Sequence, residues 1–192
     1  MPKRSPEYLT ARRDEVLDGA RRCFARWGFE GATVPRLERE IGLSHGAIFN
    51  YFENKLELFV ELARRDHERW DSIWREEGFE ALAHVIAHED PAWIAVHLEF
   101  ERRVRTDPEL LARARAELGG RDDELLWFER ERAAGRIRGD VPVETIVAFL
   151  HLLLDGLALA RIAPGTTIDV KPILGLVRDA LAPRADRRRK GR

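Results

Sequence analysis

An all-α fold is predicted for this chain by three observations. Apolar residues recur three and four positions apart along most of its length, no stretch alternates apolar and polar residues convincingly as a strand would, and Gly and Pro punctuate the text at helix-length intervals. Of its 192 residues, 44% are hydrophobic and 35% charged, which supports a real core in one globular unit or two small ones and excludes a disordered chain. The spacing predicts nine helices, over residues 12–27, 34–41, 45–52, 55–77, 79–88, 91–106, 108–134, 142–162 and 171–181. Pro91, Pro108 and Pro142 stand where first-turn prolines belong, with Asp90, Asp107 and Asp140 nearby as start signals. Gly135 and Gly139 mark a loop, whereas Gly156 inside an apolar helix predicts a closely approaching neighbour.

The segment TVPRLEREIGLSHGAIFNYFENKLELF, from Thr33 to Phe59, carries the functional signal. Thr33 is an N-cap residue type, Pro35 lies in the first turn, and Leu37 and Ile41 recur four apart as one buried face. Gly42 ends that helix, Leu43 plugs the joint, Ser44 caps the next helix, and Ile48 and Phe52 repeat the four-residue spacing. His45, Gly46, Ala47, Asn50 and Tyr51 then point away from the core. This is the layout of a helix-turn-helix, whose second helix lies on DNA.

With its flanks, the segment resembles the TetR family of bacterial transcriptional regulators. The likeness runs through VLDGARRCF at Val16 to Phe24, WGFEGATV at Trp27 to Val34, and IFNYFENKLELF at Ile48 to Phe59. It implies a nine-helix architecture, with a helix-turn-helix domain over 1–54, a helical effector-binding and dimerisation domain over 55–183, and a fourth helix that carries motion between them. Residues 184–192 form a basic tail expected to be disordered. One departure from the family pattern is Phe49, where the family often has Tyr; a phosphate-bound hydroxyl is missing here.

The expected DNA-binding residues are Thr33, Arg36, Ser44, His45, Gly46, Asn50, Tyr51 and Lys55. Ser44 as N-cap leaves N–H groups of the recognition helix for a phosphate, and Gly46 lets that helix approach closely. Asn50 can pair with adenine and His45 donate to a purine, while Tyr51, Thr33 and Arg36 suit the phosphate backbone. Lys55 follows Asn54, the expected cap of the fourth helix, so an ammonium and a helix N-terminus converge on a phosphate site.

The formal net charge of −1 argues against a nucleic-acid partner, yet residues 1–55 hold ten Lys and Arg against eight Asp and Glu. A homodimer doubles that surplus, and local cations set the potential that phosphate meets. The PKR segment at residues 2–4 is a candidate minor-groove arm. The first fifteen residues contain no apolar stretch, so no secretory signal is expected there. The longest apolar run, 146–160, is interrupted by His151 and Asp155, so no spanning helix is expected either. Cys23, the single cysteine, excludes an internal disulfide and suits the cytoplasm, with the thiol in the core.

The helix from Val143 to Ile162 is apolar on nearly every face, which one sheath of neighbours in a chain this size cannot cover. A homodimer through this helix and the one from Lys171 to Leu181 is expected, and the resemblance implies the same seam. Such a dimer presents recognition helices to half-sites ~34 Å apart on a pseudo-palindromic operator.

For the effector the candidate residues are Trp70, Trp93, His97, Glu101, Arg102, Trp127 and Arg130. His97 and Glu101 lie four apart, and an inward imidazole and carboxylate with an arginine suit an anionic ligand, alone or with a divalent metal. The competing reading is an internal Glu–Arg ion pair that holds two helices in register. No confident metal site is expected, since His84 and His88 lack a third ligand. Finer landmarks, GARRCF, EGATV, GAIF, LE before RTDP, and DVP before LDG, resemble the actinobacterial aconitase-repressor subgroup. That likeness implies a tricarboxylate effector, citrate with magnesium.

Two other function classes compete. GLSHG at Gly42 to Gly46 matches the G-x-S-x-G of a nucleophile elbow, but PRLEREI before it has helical rather than strand spacing. None of the six His has Glu at the third position back, and HExxH, P-loop and dinucleotide-binding patterns are absent, so an enzyme is not expected and no cofactor is required. A DNA-binding repressor without an effector is the other alternative, and it predicts a second domain packed solid.

Overall fold

The computed structural model describes residues 5–112 and 122–183. Nine helices have described bounds: α1 Pro6–Gly31, α2 Val34–Ile41, α3 His45–Phe49, α4 Lys55–Glu77, α5 Phe79–His88, α6 Pro91–Thr106, α7 Asp122–Ala133, α8 Val143–Ile162 and α9 Val170–Leu181. Residues 108–112 are also helical. No strand occurs among the described residues, in accord with the all-α expectation.

α2, α4, α5 and α6 match the predicted limits, α8 and α9 each start one residue away from theirs, and the remaining three differ more. α1 starts six residues earlier than expected, because the Ser5 hydroxyl accepts the Tyr8 N–H and Pro6 supplies the first turn. α1 also breaks at Gly28, whose φ of 66° is non-helical. α3 stops at Phe49, three residues short, as the chain turns toward α4. The predicted helix over 108–134 crosses residues 113–121, which lie outside the described residues, as do the PKR segment and the basic tail. Asp90 and Asp107 cap as expected, each accepting an N–H two residues ahead, whereas Asp140 instead pairs with Arg138 at 2.7 Å.

The described residues pack as two compact units, 5–69 with 90–112 and 70–89 with 122–183. In the first, α1 contributes Val16, Leu17, Ala20, Cys23 and Phe24, which meet Leu37 of α2, Ile48 of α3 and Leu58 and Phe59 of α4. Phe59 is its aromatic centre, with Phe24, Phe29 and Phe100 ring centroids 4.8–5.2 Å away. The second unit buries Trp74, Leu82 and Ile86 with Phe128, Ile146, Leu150 and Leu174.

Two sequence expectations for α8 are corrected. Among the described residues nothing lies within 4 Å of a Cβ built at Gly156, so the expected close neighbour is not found there within one chain. The helix is also long and apolar enough to cross a membrane by length and composition, despite His151 and Asp155. Soluble core and seam helices meet the same description.

Candidate nucleic-acid interface

α2, the turn and α3 are held from beneath by their apolar residues. Gly42 adopts φ 77°, a left-handed conformation that closes α2, and its N–H donates to the Glu38 carbonyl at 2.8 Å. Leu43 packs partly buried against the core, and Leu37, Ile48 and Phe52 are buried. With that side fixed, Thr33, Ser44, His45, Gly46 and Asn50 are all exposed, while Arg36, Tyr51 and Lys55 are half-buried. The eight sequence-chosen residues therefore lie on or beside one rigid helix-turn-helix.

The structure refines several of their roles. Thr33 and Ser44 occupy N-cap positions, yet neither side chain makes a capping hydrogen bond, so both hydroxyls remain for another partner. The His45 ring packs at a tilt against Phe49 with centroids 4.6 Å apart; Phe49 thus supports a candidate base reader in place of offering a hydroxyl. Arg36 donates to the Gly31 carbonyl at 2.7 Å and lies 4.0 Å over the Trp27 ring. Asn54 caps α4 through the Glu57 N–H at 3.0 Å, but the Lys55 ammonium turns inward to the Phe29 carbonyl at 2.8 Å, leaving two of its three donors.

Glu38 is not marked by the sequence. Its carboxylate accepts the His45 N–H at 2.5 Å, so the start of α3 is not left open for phosphate as expected. Glu38 lies seven residues before His45, so only the fold of the turn joins them. Its charge stands beside the start of α3, where the sequence reading expects a DNA phosphate. Glu38→Gln keeps the acceptor and removes the charge. It is expected to raise affinity for a non-operator duplex by about threefold at low salt, the gain fading as salt screens it. Fluorescence-anisotropy titrations at two salt concentrations measure this; no gain at low salt refutes it.

The effector candidates are less well gathered. Trp93, His97, Glu101 and Arg102 belong to the first unit, and Trp70, Trp127 and Arg130 to the second. Glu101, Arg102 and Arg130 are exposed, contrary to the inward expectation. His97 pairs with Asp66 of α4, not with Glu101: its Nε2 lies 2.7 Å from Asp66 Oδ2. The Trp93 indole N–H donates to the same oxygen at 2.5 Å, and Arg21 of α1 reaches Oδ1 at 3.3 Å. Asp66 is only 4% exposed. Burial alone would raise its carboxyl pKa, but the His97 hydrogen bond, the charges of His97 and Arg21 and the Trp93 N–H overcome it and hold the pKa below its ordinary value. Beside this cluster, Phe59, Ala63, Trp93, Val96, His97 and Phe100 line a crevice too tight to admit a water molecule. No cluster of three metal-ligating side chains occurs among the described residues.

Residues 16–62 match the family described as bacterial regulatory proteins, tetR family. The chain is 44% identical over 170 residues to the HTH-type transcriptional repressor Rv1474c of Mycobacterium tuberculosis, covering 86% of this chain and 89% of that protein. The chain belongs to the TetR family. Within it, the chain groups with AcnR: it is 40% identical over 184 residues to the HTH-type transcriptional repressor AcnR of Corynebacterium diphtheriae, covering 94% and 97% of the two chains. TetR-family proteins are regulators, not enzymes, so GLSHG is a turn and a helix start rather than a nucleophile elbow. Salmonella enterica GusR shares the fold, with a TM-score of 0.67 at 20% identity over 89% of this chain and 95% of its own.

Proposed function

We propose that this TetR-family protein is a cytoplasmic transcriptional repressor that binds a pseudo-palindromic operator as a homodimer, reading bases with His45 and Asn50. The observation that carries this reading is the exposed row Thr33, Ser44, His45, Gly46 and Asn50 on a rigid helix-turn-helix. The division of labour is that expected from sequence: residues 1–54 read DNA, and 55–183 dimerise and sense an effector.

Dimerisation draws support from apolar surface on the two last helices. Leu152 and Leu159 of α8 are 71% and 54% exposed, and Leu176 of α9 is 71% exposed, a concentration that a partner subunit would cover. Leu152→Glu with Leu159→Glu is expected to give a monomer in sedimentation and to weaken operator binding by about a hundredfold, through loss of the second half-site contact. A variant that stays dimeric, or a parent that sediments as a monomer, removes this seam.

The effector reading is release by an anionic metabolite such as a tricarboxylate with a divalent metal, and its support is the AcnR likeness. Ligand would shift α4 and move the recognition helices out of register with the operator. The tight crevice beside Asp66 favours the second reading, a repressor with no small-molecule effector. Thermal shift and operator titration with citrate plus magnesium, against each alone, separate the two: release by the pair supports the first, no effect the second.

A further inference from the structure

We propose that Glu99 of α6 is a positioning residue for DNA reading, acting through the backbone of Phe29. Gly28 breaks α1, so the chain leaves its helical path just before Phe29. Glu99 Oε2 accepts the Phe29 N–H at 3.0 Å. On the other side of the same residue, Lys55 of α4 donates to the Phe29 carbonyl at 2.8 Å. Both polar groups of one peptide residue are therefore claimed by side chains of two different helices.

The ring is held as well. Phe29 packs on Phe24 and Phe59, with the Arg103 guanidinium 4.1 Å and the Lys55 ammonium 4.3 Å from its centroid. Arg103, one turn beyond Glu99 on α6, also pairs with Glu30. Thr33, the N-cap of α2, follows three residues after Glu30. The path from α6 to the scaffold helix is thus one hydrogen bond, one ion pair and a short stretch of backbone. α6 is fixed to α4 too, through Trp93 and His97 on Asp66, so it is not free to slip while Phe29 stays put. Gly28 suits the joint because its φ of 66° strains any L side chain.

The consequence is selective. Loss of the Glu99 acceptor leaves the phosphate-contacting cations in place but loosens the angle at which α2 and α3 meet the groove. Specific binding falls and non-specific binding does not.

The inference rests on α3 as the reading helix, and the test separates the two. An operator duplex is first obtained by binding-site selection with the parent protein; failure to enrich any sequence overturns the reading helix itself. Glu99→Ala, Glu99→Gln and Arg103→Met are then titrated with that duplex and a scrambled one. Glu99→Ala is expected to lose about tenfold in operator affinity and less than twofold on the scrambled duplex, with faster hydrogen exchange at Phe29. Glu99→Gln, which keeps an acceptor, is expected to stay within about twofold of the parent. Arg103→Met keeps Glu99 and reads the ion-pair arm of the path alone, where a fall in the same direction is expected; where the alanine variant does not fold, Glu99→Leu, which keeps much of the side chain's volume but no acceptor, takes its place with the same expected loss. An unchanged operator-to-scrambled ratio in the folded variants, or equal losses for Gln and Ala, overturns the proposal.

Discussion

Replacing Asp66 with Ala is expected to destabilise the first unit by about 3–5 kcal/mol, the range for removing one member of a buried, hydrogen-bonded charge cluster. The carboxylate, on α4, ties three helices together: it meets Arg21 of α1 at 3.3 Å, and Trp93 and His97 of α6 at 2.5 and 2.7 Å. Alanine leaves the Trp93 N–H and the His97 ring without this acceptor beside an apolar crevice, where desolvation is not recovered. Asn at position 66 offers one acceptor oxygen in place of two and should fall between. The pH dependence follows from the lowered Asp66 pKa. A carboxyl depressed in the folded state contributes fully above its unfolded value near 4 and loses that contribution as pH falls through the folded value. Glu61 behaves alike. Burial opposes its ionisation, but Arg64 and Arg13 draw its pKa down to about 2, so its contribution fades between about pH 4 and 2. Urea titrations from pH 7 to 3 should show Asp66→Asn with a shallower acid limb than the parent. Parallel limbs would mean that Asp66 is not a source of the acid sensitivity.

The difference between what sequence reveals and what it hides is one of range. The helix-turn-helix is legible because Leu37, Ile41, Gly42, Ile48 and Phe52 declare their roles within sixteen residues, through helix periodicity and one left-handed glycine. The Asp66 cluster is not, because its partners are far apart along the chain. Helical spacing matches His97 with Glu101 one turn along, while its partner Asp66 stands 31 residues earlier on another helix. A signal is present: Phe59, Ala63, Asp66 and Trp70 follow one stripe of α4 at helical spacing, and a carboxylate on an apolar stripe needs a buried partner. No comparable signal marks Glu99 or Glu38. Their roles depend on where α6 passes Phe29 and how the turn brings α2 over the start of α3.

Gly19 is the other position where a small change should have a large effect, and it too gives no local sign. It is mid-helix, where Gly→Ala ordinarily gains about 1 kcal/mol from helix propensity. Here a Cβ would lie 2.7 Å from Ile41 Cγ1 and 2.9 Å from Ile41 Cα. The side-chain atom can rotate aside; the backbone atom cannot, so α2 must move away from α1. Overpacking of this kind costs about 1–3 kcal/mol, enough to cancel or exceed the propensity gain. Gly19→Val adds two methyl groups to the same collision and loses the propensity advantage, so its melting temperature should fall by several degrees at about 2–4 °C per kcal/mol. Ile41 is the last residue of α2 and is followed directly by the Gly42 turn, so the displacement reaches α3 and operator affinity should fall with stability. Ile41→Ala identifies the cause. It removes Cγ1 but leaves the backbone of residue 41 in the way, so in a double-mutant cycle it should recover part, not all, of the Gly19→Val loss. Purely additive effects would show that the two residues do not collide.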